Sequence, residues 1–228
     1  AVFEPSGEMR VTRHPLAVCP RLLFDSCAAG QHAAHYFLER HYIRFAYVGE
    51  PHGIYWSRER GQGFKDTVEA AGASCAVYPD LNERERRDWA VEQPRMQAWL
   101  KALPKPAALF AAMDGRARQV LDACMAAGIT VPDELAVLGV DDDPFICEAT
   151  FPPLSSIQTN GQQAGYLLAQ HLDGLMRDKR LSQTDFRVAP VRVVTRRSTD
   201  ATAIQDLAVA RALEFIWREA AARNTGLI

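Results

Sequence analysis

Apolar residues recur along this chain in two alternating rhythms. Short runs at Arg21–Phe24, Ile43–Val48, Cys75–Tyr78, Ala107–Ala112, Leu135–Val140, Ser156–Gln158 and Val188–Thr195 have the length and composition of strands. Between them apolar positions return every three or four residues, the spacing of one helical face. Such stripes are Ala33, Ala34, Phe37 and Leu38; Phe64, Val68 and Ala71 over residues 57–71; and Met96, Trp99 and Leu100. Two more follow: Ala117, Val120, Leu121 and Cys124 over 115–127, and Ala164, Leu167, Leu168, His171 and Leu172. Gly72 and Gly128 close the second and fourth of these helices, and Pro104 and Pro106 stop the third. Residues 1–20, broken by Pro5, Pro15 and Pro20, read as irregular. Strands that alternate with helices predict an α/β protein, with parallel sheets flanked by helices. After Arg196-Arg-Ser-Thr-Asp200 the character changes. Residues 206–222 read as a new amphipathic helix capped by Asp206, with Val209, Leu213, Ile216, Trp217 and Ala220 in one stripe that needs a surface to bury against.

Composition narrows the classes. The 228 residues are 48% hydrophobic and 24% charged, ordinary for a globular protein and enough for one large domain or two small lobes. A formal net charge of −2 gives no overall basic field for nucleic acid, which leaves only a local DNA-binding module open. Five dispersed cysteines without a paired or metal-ligand spacing predict a reducing, cytoplasmic setting. No apolar run approaches the ~18 residues of a membrane span, and no cationic-then-apolar leader opens the chain. The expectation is a fragment of something longer.

The candidate chemistry sits where strands end in carboxylates. Leu109-Phe-Ala-Ala-Met-Asp114 and Leu135-Ala-Val-Leu-Gly-Val-Asp-Asp-Asp143 are apolar strands that stop at acids. In an open parallel sheet the carboxyl ends of the strands line the ligand crevice. Asp141, first after its strand, is placed to point into it, while Asp142 and Asp143 also suit capping of the next turn. A metal or phosphoacceptor site would need further oxygen ligands and a nearby lysine; Pro144 follows at once instead. Arg60, in Arg-Gly-Gln-Gly-Phe64 on the helix after a Gly/Pro loop, offers a fork of donors to hydroxyls or a carboxylate. Trp56 precedes that helix, and its ring suits either stacking on the C–H face of a sugar or packing at the rim. Asp25 and Asp114 each follow a strand and precede a helix, so each is a ligand candidate and an N-cap candidate at once. No histidine pair has metal spacing, no serine sits in a nucleophile elbow, and no phosphate-binding glycine loop is present. The expectation is a binding protein without a cofactor or metal and without enzymatic activity.

Taken together, these landmarks resemble the effector-binding domain of the LacI/GalR regulators, of the periplasmic-binding-protein-like I fold. The pieces are Asp25 with its helix, His41-Tyr-Ile-Arg-Phe-Ala-Tyr-Val-Gly49, Arg60–Phe64, Ala108–Asp114, Ala127–Asp133, Val137–Asp142, Pro153–Gln158 and Gly165–Ala169, in order across about residues 18–198. The resemblance implies that Asp25, Arg60 and Asp141 contact a small effector such as a sugar. Met113 departs from the family, which usually carries Asn there; a thioether cannot supply an amide's hydrogen bonds. Pro190–Asp200 followed by Asp206–Ile216 is similar to the junction in XylR-type xylose regulators, where such a sensor precedes an AraC-type DNA-binding domain.

The resemblance also implies an organisation. Residues 1–42 and 160–185 would be the remnant of a truncated first lobe, and 43–157 with 186–198 the complete second lobe. Residues 199–205 would be a linker, and 206–228 the first helix of a truncated AraC-type domain. Helices 26–40 and 161–176 are then expected to expose apolar faces. The implied function is a pentose-responsive transcription activator: a homodimer that meets operator or promoter DNA through the missing domain, with RNA polymerase as a further contact and no membrane. Arg60, Asp141 and Trp56 would form half of the sugar site. A periplasmic sugar-binding protein of a transport system is the alternative.

Overall fold

The structure is a computed structural model that describes residues 2–3, 21–51, 54–177 and 185–201. In chain order it contains strands β1 (Val2–Phe3) and β2 (Arg21–Phe24), helix α1 (Ser26–Leu38), strand β3 (Arg44–Val48), helix α2 (Tyr55–Ala70) and strand β4 (Ser74–Val77). Helices α3 (Glu83–Arg87) and α4 (Trp89–Ala102), strand β5 (Ala107–Ala111), helix α5 (Asp114–Ala127) and strand β6 (Leu135–Asp141) follow. Then come helix α6 (Pro144–Cys147), strand β7 (Ser155–Gln158), helix α7 (Gly161–Met176), strands β8 (Asp185–Val188) and β9 (Arg192–Val194), and a 3-10 turn at Arg197–Thr199. The expected helix over 206–222 and the linker beyond residue 201 lie outside the described residues.

The larger sheet has the order β4-β3-β5-β6-β7-β9, parallel throughout except for the antiparallel β7–β9 edge. Its central strands are buried on both faces, and their period of two divides one apolar run between two cores. Ala46, Val48, Leu109, Ala111, Leu135 and Val137 pack under α4 and α5, while Phe45, Tyr47, Ala108, Phe110, Ala136 and Leu138 pack under α1 and α2. Gly128 caps α5 with φ 71°, a left-handed conformation that costs a residue without Cβ little.

Three expectations about organisation change. First, α1 does not expose its apolar face as part of a first-lobe remnant. Ala33, Ala34 and Phe37 are fully buried against the larger sheet and α2. The physical reason is a backbone-to-backbone crossing: a Cβ on Gly30 would lie 2.1 Å from the Arg60 carbonyl oxygen, and one on Gly63 2.4 Å from that of Cys27. Second, the single strand expected over 188–195 is two strands in different sheets. β8 pairs with β2, the chain crosses over at Ala189–Val191, and β9 joins β7. Third, Val2–Phe3 is not irregular but pairs in parallel with β2, completing a smaller sheet of order β1-β2-β8.

That smaller sheet carries a thin core of Leu22, Ala164 and Val188 with α7 over it. Leu172, Tyr166, Leu175 and Met176 on that helix are exposed, the uncovered apolar side expected for residues 161–176.

Candidate functional site

The order of the larger sheet reverses between β3 and β5: the chain leaves β3 for the β4 edge and returns on the other side. Loops at the carboxyl ends of β3 and β5 therefore diverge and leave a crevice between them. Arg60 reaches this point from the second turn of α2. It is buried, and its Nη1 donates to the Ala112 carbonyl at 2.5 Å, just past the end of β5. Its Nη2 lies 3.7 Å from Asp141 Oδ1, and its guanidinium carbon stands 4.7 Å from the centroid of the Trp56 ring. Trp56 sits in the first turn of α2 rather than in the loop before it, half-buried against the aromatic core. The Arg60 Nε–H is buried without a hydrogen-bond partner. Such a donor carries a desolvation cost of about 1–3 kcal/mol that an acceptor on a ligand would relieve.

Three of the expected residues, Trp56, Arg60 and Asp141, are thus brought together. Asp141 has φ 112° and a side chain 40% exposed, so the strand ends in a backbone conformation that a non-glycine residue rarely adopts. Asp142 follows at φ 56°.

Asp114 is placed elsewhere. It is 1% exposed and does not cap α5; Met113 holds that position without a side-chain bond, and Asp114 is the first helical residue. Its carboxylate turns under the loop after β6, accepting from Ser156 Oγ at 2.5 Å, Asp143 N at 2.9 Å and Cys147 Sγ at 3.4 Å. Burial pushes its pKa up to about 6, partly opposed by those donors. Asp25 caps α1, accepting from Ala28 N at 3.0 Å, and its own N–H donates to Val188 O in the smaller sheet. Of Asp142 and Asp143, both also expected to cap, Asp143 does so for α6, accepting from Phe145 N at 2.9 Å. Asp142 instead pairs with Arg196 at 2.8 Å.

The family model of the periplasmic binding protein-like domain matches residues 34–199. The chain belongs to that family. It is similar to the xylose operon regulatory protein of Haemophilus influenzae, 30% identical over 90% of this chain and 53% of that protein. It is likewise similar to the xylose operon regulatory protein of Escherichia coli, 33% identical over 84% of this chain and 49% of that protein. The solved structure of the xylose-binding transcription activator xylR matches with a TM-score of 0.75 at 32% identity, over 86% of this chain and 52% of that one. The chain therefore spans about half the length of the relatives it matches. These relatives are transcription regulators, not enzymes.

The periplasmic binding protein-like chain holds further site-building residues that the sequence pattern did not single out. Arg116 and Glu92 form a buried pair, with Nη2 donating to Oε1 at 2.5 Å and Nη1 to Oε2 at 3.0 Å. Arg116 Nε also donates to Gly49 O, which pins the loop after β3. A bidentate, fully satisfied fork of this kind fixes geometry. The signal for it was present. Glu92 lies four residues before Met96 and Arg116 four before Val120, so each charge occupies the apolar face of its helix and demands a partner.

Toward the β3–β4 side a cleft of about 290 Å³ is lined by Gly49, Ser57, Arg58, Tyr78, Asp80 and Arg116 among others; Arg60, Trp56 and Asp141 do not line it. Among the described residues no cluster of three or more His, Cys, Asp or Glu side chains is arranged to hold a metal. Burial pushes the thiols of Cys75, Cys124 and Cys147 up to about 12, far from the thiolate that nucleophilic chemistry needs. No helix among the described residues is long and apolar enough to cross a membrane.

Proposed function

We propose that this chain is the effector-sensing part of a sugar-responsive transcription regulator, with D-xylose or a related pentose as effector. The carrying observation is the Trp56–Arg60–Asp141 group at the switch point of the larger sheet. An oriented guanidinium beside a carboxylate presents donors and acceptors to adjacent hydroxyls, and an indole offers a face to the sugar's C–H groups. Relatives named for the xylose operon support the choice of sugar. In this reading Asp25 contributes from the start of α1, while Asp114 shapes the loop that carries Asp141. The intact regulator is a cytoplasmic homodimer that meets operator or promoter DNA through an AraC-type domain. Sugar acts by its differential affinity for two lobe arrangements, which shifts how paired subunits present their DNA-binding domains.

Calorimetric titration with a panel of pentoses and hexoses tests this. D-xylose is expected to bind, and Arg60→Ala and Asp141→Ala are each expected to weaken it by at least about tenfold, the loss of one charge-assisted hydrogen bond. Binding retained in both variants overturns the site. No binding by any sugar overturns the sensor reading.

A further inference from the structure

The last described residues are tied to the acid loop by a continuous run of hydrogen bonds. Ser198 and Thr199, in the 3-10 turn, are fully buried. Ser198 Oγ accepts from Ser155 N at 2.8 Å and donates to Val137 O at 2.6 Å, and its N–H donates to Pro153 O at 3.0 Å. Thr199 Oγ1 contacts Ser155 Oγ and Tyr36 Oη, each at 2.7 Å. Immediately before this anchored turn stands Arg196. Its N–H donates to Ser155 Oγ at 2.7 Å, and its Nη1 donates to Asp142 Oδ1 at 2.8 Å and Leu154 O at 3.1 Å. The ion pair is largely shielded, with side chains 19% and 11% exposed. Asp142 in turn donates its N–H to Ser156 Oγ, which also serves Asp114. Its backbone neighbour is Asp141, and both residues hold left-handed φ values. Conformations of that kind persist only while their surroundings over-determine them.

We propose that the Arg196–Asp142 ion pair is a positioning contact that couples the crevice to the 3-10 turn at Arg197–Thr199. A change at Asp141 moves Asp142, and Asp142 moves the segment Arg196–Asp200 through the Arg196 guanidinium. The identity of the ligand rests on the function proposed above; the coupling itself does not.

The test therefore has a ligand-free arm. Amide hydrogen exchange at Ser198, Thr199 and Asp200, whose N–H groups donate to the carbonyls of Pro153, Arg196 and Arg197, is followed in the full 228-residue chain. Four proteins are compared: the parent, Asp141→Ala, Arg196→Gln and the double variant. Asp141→Ala is expected to change exchange at these amides by about fivefold in the parent and to leave it unchanged in the Arg196→Gln background. An equal effect in both backgrounds, or none in either, overturns the coupling. A purely structural role for Arg196 would give additive effects. Should Arg196→Gln fail to fold, Asp142→Asn breaks the same pair from the other side and carries the same expectations. In the second arm D-xylose is the probe. It is expected to slow exchange at the three amides in the parent and not in Arg196→Gln, with calorimetry showing sugar bound to both. Protection that survives Arg196→Gln overturns the proposal. If no sugar binds the parent, the sensor reading falls, and the ligand-free comparison still decides the coupling.

Discussion

Asp114 shows how one residue's surroundings set a property of the whole chain. Burial lifts its pKa from 3.8 to about 6, and the adjacent Asp141 charge adds to the rise. Between those values the folded state holds a proton that the unfolded state has released, so stability falls as pH rises through that window. Below pH 3.8 both states are protonated and no difference remains; above about 6 the full cost is present. That cost is on the order of 3 kcal/mol. Urea unfolding of wild type and Asp114→Asn is expected to show it. Between pH 4 and 7 wild type should lose stability relative to the variant by roughly that amount. Parallel pH profiles would show that Asp114 ionises normally in the fold. Gly139 completes the arrangement, because a Cβ there would lie 2.3 Å from Asp114 Oδ1.

At the scale of elements the α1–α2 crossing deserves the most weight, because it sets where Arg60 stands. Helices whose backbones approach this closely need glycine at the contact. A Cβ on residue 30 would meet both the Arg60 carbonyl and, at 2.6 Å, the Phe64 amide nitrogen, neither of which can rotate away. Gly30→Ala is therefore expected to force the helices apart at a cost of about 1–3 kcal/mol or more, read by urea unfolding. The same shift should draw Arg60 off the Ala112 carbonyl and weaken sugar binding in calorimetry. A variant with unchanged stability and binding would show that the helices are not held at this contact. Phe37 of α1 and Phe64 of α2 meet edge to face with centroids 6.4 Å apart, and Phe45 of β3 packs edge to face on Phe64.

On the scale of the whole molecule, the two sheets differ in depth. The larger has dense cores on both faces, and the smaller has a few buried residues under a helix with an exposed apolar side. Assignment of α1 to the larger unit leads to a contrast that unfolding can measure. Phe37→Ala is expected to cost about 3–5 kcal/mol, as for any large buried side chain. Leu172→Gln and Met176→Gln on α7 should change stability by about 0.5 kcal/mol or less. A small cost at Phe37 would count against the burial of α1 on the larger sheet, and a large one at α7 against the exposure of its apolar side.

Most of the elements were legible from the sequence, because strands buried on both faces and helices with one apolar stripe leave distinct periods in the chain. Arg60 was legible as a candidate because it follows a Gly/Pro loop at a strand end, where its fork of donors can meet hydroxyls or a carboxylate. The Ala189–Val191 crossover was not legible, since one apolar run reads the same whether it stays in a sheet or changes sheets. Nor was the side to which α1 belongs, because its stripe states that it is buried and not against what. The sequence by itself determined the α/β class, the order of elements and the strand ends on which the acids stand. Only the tertiary structure decided which acid faces the crevice and which is locked beneath it. Asp114, Asp141 and Asp142 share a residue type and a strand-end setting, and they are told apart by partners distant in the chain: Asp143 and Ser156 for Asp114, Arg60 for Asp141 and Arg196 for Asp142. Local periodicity cannot specify those distant partners; packing does.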